Sequence, residues 1–125
     1  MLANEEMRAA EMLLQTLPRQ SAFFQQQAAE KLVRAVLEVE GVPAGPTHNL
    51  RALTDLLKAD NPTKPEFLAV DEWSSAATRF RYPTGSGSTP NVSSAVLRER
   101  QGRLAALEGV VVAFISARAN EDTSP

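Results

Sequence analysis

One histidine, five arginines crowded into residues 79–103 and a single tyrosine are the side chains with the most chemistry to offer. Arg79, Arg81, Arg98, Arg100 and Arg103 stand against Glu99 alone, a local excess of +4 in a chain of net charge −2. Guanidinium forks match phosphate geometry, and backbone amides in the Gly-Ser segment 84–90 (TGSGSTP) can add donors. This stretch is the candidate anion or nucleotide site, with Arg79, Arg81 and Tyr82 as its contacts and His48 as a further ligand contact. The same residues also fit a plainer account: a solvated basic face beside a loop, Tyr82 packed under the end of a bundle, and His48 capping a helix or bonding a loop carbonyl.

Other chemistries fail on inventory. There is no cysteine, hence no disulfide, no thiol nucleophile and no zinc–thiolate site. A Ser-His-Asp triad would have to use His48, and no strained serine elbow accompanies it. Asp71 and Glu72 are adjacent, so on a helix they diverge rather than share a metal. The Gly-rich segment matches neither the P-loop nor the dinucleotide fingerprint. No metal and no cofactor are expected. At 125 residues the chain is the size of one domain. Its 43% hydrophobic and 22% charged residues are an ordinary globular mixture. No apolar run approaches the ~20 residues of a membrane span. The net charge gives no general attraction for nucleic acid or an anionic membrane. The first ten residues, MLANEEMRAA, lack the basic and apolar regions of a secretory signal, so a cytoplasmic protein without membrane contact is expected.

These side chains must be positioned by helices. Ala occurs 19 times and Leu 14 times against one Ile, a composition that favours helix over sheet. A first helix is expected over about 3–16, with Met7, Ala10, Leu13 and Leu14 at helical spacing. Pro18 breaks the chain or opens the next helix. The second, over about 19–40, has an apolar stripe of Phe24, Ala28, Leu32, Ala35 and Val39, widened by Val33 and Leu37. An arc that wide belongs to the central helix of a bundle. Gly41 and Pro43 end it. Thr47 or Asn49 caps a short third helix over about 50–59, with Leu50, Leu53 and Leu57 inward. A fourth runs over about 65–80, with Ala69, Trp73, Ala76 and Phe80 on one face, and Tyr82-Pro83 stops it. The last runs over about 92–118 with Leu97, Leu104, Leu107, Val111 and Phe114 inward. On it Gly102, Ala106, Gly109 and Ala113 form a stripe of small residues, which fits either a dimer contact or a crowded bundle interior. The fold class is therefore all-α, an antiparallel bundle of about five helices with a four-helix up-and-down core. The domain spans 1–118, and 119–125 form a disordered tail.

Three segments carry a family resemblance. Residues 24–37 (FQQQAAEKLVRAVL) look like the signature second helix of HEPN domains, the small all-helical bundles of prokaryotes and higher eukaryotes. Thr47-His48-Asn49-Leu50 is similar to the family's Thr-His-Asp-Leu at the head of the third helix, with Asn49 in place of Asp. Arg81-Tyr82-Pro83 matches the Arg-Tyr-Pro that follows the fourth. Order and spacing agree, and the resemblance covers about residues 3–118.

The resemblance implies a dimer. It also implies one of two kinds of function. Some HEPN proteins are metal-independent RNases, often toxins paired with a nucleotidyltransferase; others are proposed nucleotide-binding or scaffold domains. The RNases use an Arg followed after four to six residues by a His, the one for phosphate charge and the other as acid or base. Here Arg81 takes the Arg position, but no histidine exists after residue 48. The expectation is a non-catalytic HEPN-type binding module, a homodimer that holds a nucleotide, RNA or a partner nucleotidyltransferase. The alternatives are an RNase or toxin with an atypical site on Arg81, and a purely structural interaction protein.

Overall fold

The structure is a computed structural model. It describes the backbone of residues 4–79 and 94–123 and the side chains of 4–71 and 95–120. Five helices follow one another: α1 (Asn4–Leu13), α2 (Pro18–Glu40), α3 (Leu50–Asp55), α4 (Lys64–Arg79) and α5 (Ser94–Thr123). No strand occurs among the described residues, so the all-helical expectation holds. No helix among them is long and apolar enough to cross a membrane.

Local chemistry sets most of the helix ends. Pro18 begins α2, where its missing N–H is not needed. Gly41 ends α2 with φ of 72°, a left-handed conformation that glycine adopts without a Cβ clash. The Val42 amide then bonds back to the Leu37 carbonyl at 2.9 Å. Asn49 rather than Thr47 caps α3, its Oδ1 accepting from the Ala52 amide at 2.9 Å. Two ends differ from expectation. α3 stops at Asp55, before the residue 59 expected. α5 runs on to Thr123, beyond the boundary at 118.

α2 touches each of the other four helices. Leu32, Val33, Val36 and Leu37 are its centre, meeting Leu50, Leu53 and Leu57 from the α3 region, Phe67 and Val70 from α4, and Leu104, Leu107 and Val111 from α5. The inward residues expected of α3 are all buried. So are those expected of α5, except that Phe114 is only partly buried. α4 is rotated from its expected face: Phe67 and Val70 are buried while Ala69 is exposed. Trp73 and Ala76, expected inward, lie outside the described side chains, and Phe80 outside the described residues.

Polar ties fix how α1 and α5 sit on α2. The Ser21 hydroxyl donates to the Ala10 carbonyl. Gln25 is fully buried, and its Nε2 donates to the Leu97 carbonyl at 2.9 Å and to Gln101 Oε1 at 3.1 Å. Gln101 passes the tie on, donating to the Met7 carbonyl at 2.7 Å. At the surface Lys31 bonds Glu6, and that hydrogen bond holds the Glu6 carboxyl below the usual carboxylate range.

Phe67 is the largest side chain buried without exposure. Replacing Phe67 by Ala should destabilise the domain by about 3–5 kcal/mol through lost transfer energy and a residual cavity. Urea denaturation followed by circular dichroism would measure this. A loss of under about 1 kcal/mol would mean that α4 is not a structural member of the core.

Candidate functional site: the α2–α3 corner and the basic stretch of α5

Glu30 lies on the half of α2 that the other helices cover, and only 5% of it is exposed. A carboxylate there must find donors. It finds His48, whose Nδ1 sits 2.7 Å from Glu30 Oε1, and Arg34, one turn along, whose Nε is 3.4 Å away. Glu30 Oε2 has no hydrogen-bond partner among the described residues. Arg34 also ties down the connection from α2 to α3, donating to the carbonyls of Gly45 (3.1 Å) and Thr47. The loop is thereby drawn onto the end of α2, and His48 is carried to Glu30.

The His48 side chain is 82% exposed. A carboxylate can only accept, so the proton of the Glu30–His48 bond belongs to Nδ1. Nε2 has no protein partner among the described residues. A ring oriented this way can offer Nε2 to a ligand as a hydrogen-bond acceptor or exchange a proton there. His48 therefore neither caps α3, which Asn49 does, nor bonds a loop carbonyl, the two structural roles expected of it. Its partner is eighteen positions back in the chain.

The basic stretch does not form one cluster. Arg98 is exposed and has no partner among the described residues. Arg100 is 8% exposed, and burial lowers its pKa against the pull of Glu99. Arg103 is exposed and pairs with Glu99 at 3.2 Å. The helical turn of about 100° per residue sends neighbours that are close in sequence in different directions. The backbone of Arg79 ends α4, but its side chain is outside the described side chains, and Arg81 and Tyr82 lie outside the described residues.

The small-residue stripe is at the surface. Gly102, Ala106, Gly109 and Ala113 are all exposed, and a Cβ added to Gly102 or Gly109 would meet nothing within 4 Å. A crowded bundle interior therefore does not explain these glycines. Sequence reasoning missed one feature altogether, a groove between α1 and α5 that contains Arg8 and Arg98. Met12, on its wall, lies off the Met7, Ala10, Leu13 and Leu14 spacing and is exposed. Among the described residues there is no group of three or more His, Asp or Glu side chains that could hold a metal ion.

A bundle packed around its second helix, with a glutamate of that helix gripping the histidine at the head of the third, ties together two of the segments on which the resemblance rests. Residues 2–101 match the HEPN domain family, and the chain belongs to it. The match includes Glu30, His48 and Arg81. No curated protein and no solved structure matches the chain.

The corner makes an asymmetric prediction. Glu30→Ala should lower stability by about 1–3 kcal/mol, because a buried hub that collects two donors is removed. His48→Ala should lower it by less than about 1 kcal/mol, since the ring is largely solvated. Paired urea titrations would decide. Equal losses would show that Glu30 acts only through its bond to His48 and is not a hub for two donors.

Proposed function

We propose that this chain is a HEPN-type binding module without catalysis of its own, which holds a nucleotide or short RNA beside its basic stretch. The observation that carries this is Arg98, an exposed guanidinium on α5 with no partner among the described residues. An arginine that has no internal work is available to phosphate. Family membership and the Arg81-Tyr82-Pro83 match favour the same region. The inventory favours binding over cleavage: no histidine follows Arg81, so the Arg–His pair of the family's RNases is incomplete here. A partner nucleotidyltransferase is the alternative occupant, and a neighbouring gene for one would favour it.

One observation favours a second possibility. Glu30 orients His48 while leaving Nε2 without a partner among the described residues, which is how a carboxylate prepares an imidazole for proton transfer. An RNase with an atypical site would use that nitrogen. Incubation with labelled RNA separates the two: intact RNA supports a binding module, and cleavage that His48→Ala abolishes supports the enzyme.

For the binding module, Arg81→Ala should weaken nucleotide or RNA affinity by about tenfold or more, the loss typical of a charged donor. Binding should also fall as salt is raised. Fluorescence titration measures both, with circular dichroism to show unchanged helicity. Equal affinity of variant and parent would reduce the basic stretch to a solvated face.

The protein is proposed to act as a homodimer through α5. The support is the exposed, uncrowded Gly102–Ala106–Gly109–Ala113 stripe, with Val110 39% exposed beside it. Gly109→Leu would fill space that a partner backbone needs, and sedimentation should show a weakened dimer at tens of micromolar. An unchanged dimer would move the contact elsewhere, first to α2. A parent that sediments as a monomer would remove the dimer itself.

A further inference from the structure

The groove between α1 and the first half of α5 has a volume of about 800 Å³, within the range of pockets that hold nucleotide-sized ligands. Two cations reach it from different helices, Arg8 and Arg98. Both are exposed, and neither has a hydrogen-bond or ion-pair partner among the described residues. By contrast Arg34, Arg51 and Arg103 are all engaged in ion pairs.

The rest of the wall matches what a nucleoside phosphate carries beyond its charge. Met7 and Met12 line the same groove, and Met12 is 75% exposed, the most exposed large apolar side chain described. Thioethers make favourable contacts with aromatic rings, so two of them form a sequence-tolerant surface for a base. Glu11 lines the groove as well. It supplies an acceptor for sugar hydroxyls, and it limits the excess positive charge to one, which suits a monophosphate better than a triphosphate. The wall is also fixed in advance. Gln101, a lining residue, is held by buried Gln25 at 3.1 Å and by the Met7 carbonyl at 2.7 Å. Preorganisation of this kind removes part of the entropic cost of binding.

We propose that this groove binds a nucleoside monophosphate unit, free or within a single RNA strand, with the phosphate on Arg8 and Arg98 and the base against Met7 and Met12. The placement rests on the nucleotide-binding function proposed above.

The test uses the full chain with carbon-13 labelled methionine methyl groups, titrated with AMP, with inorganic phosphate and with a short single-stranded RNA. The Met7 and Met12 methyl signals should shift with AMP or RNA. Arg8→Ala and Arg98→Ala should each weaken that binding by about tenfold or more. Arg19→Ala, which removes an exposed charge elsewhere on α2, should change it by less than about threefold. All three variants should keep the parent's circular dichroism, since none of these guanidinia has a partner among the described residues. Shifts with RNA alone would place the unit within a strand. Nucleotide binding that both groove variants leave unchanged would overturn the groove and leave the binding function standing. Phosphate bound as tightly as AMP would overturn the nucleoside part. A parent that binds neither AMP nor RNA would overturn both the groove and the function.

Discussion

α2 is the helix on which all the others pack, and it takes two polar side chains, Gln25 and Glu30, into that contact. A buried polar group without a partner is expensive, so wherever these two sit the neighbouring elements must bring donors and acceptors to them. Gln25 is met by α5 through the Leu97 carbonyl and Gln101. Glu30 is met by His48, brought in by the loop before α3, and by Arg34 on its own helix. The apolar contacts of Leu32, Val33, Val36 and Leu37 supply most of the driving force, but they are tolerant of small shifts. The hydrogen bonds of Gln25 and Glu30 are directional, and they set where along α2 the loop and α5 come to rest.

Each of these two anchors has a surface feature built on it. Glu30 takes up Nδ1 of His48, and Nε2 has no partner among the described residues. Gln25, through Gln101, stiffens the wall that Met7, Arg8 and Arg98 share. In both places a buried neutral or acidic group of α2 stands behind exposed basic groups supplied by other elements. The division has a physical basis. Exposed polar side chains are solvated and adaptable, whereas buried polar groups need partners held in place by packed helices.

α5 shows the opposite economy. It is long, with a line of Leu97, Leu104, Leu107 and Val111 inside and a stripe of small residues outside. Along the exposed line of Gly102, Ala106, Gly109 and Ala113 there is little bulk, and backbone can approach it closely. Its basic residues are spread around the cylinder. Arg98 faces solvent, Arg100 is buried and Arg103 is tied to Glu99. A count of charge along the sequence therefore overstates the local field, because only part of it points into any one volume of solvent.

The helices, their order and several of their ends follow from the amino-acid order alone. Pro18, Gly41 and Asn49 act on backbone geometry within a turn or two of themselves, and the leucines of α3 and α5 recur at a period that only one face of a helix satisfies. The three HEPN-like segments were likewise legible, since such motifs are contiguous. What the tertiary structure alone decided involves partners far apart in the chain. Phe67 and Val70, not Ala69, became the inner face of α4, because short amphipathic stripes overlap and the neighbouring helix selects among them. Gln25 and Glu30 are polar residues of α2, and nothing local announces that Leu97, Gln101 and His48 meet them. Gly102 and Gly109 looked equally suited to inside and outside. The α1–α5 groove joins residues some ninety positions apart, a distance at which only packing sets the geometry, because no local propensity extends beyond a few turns.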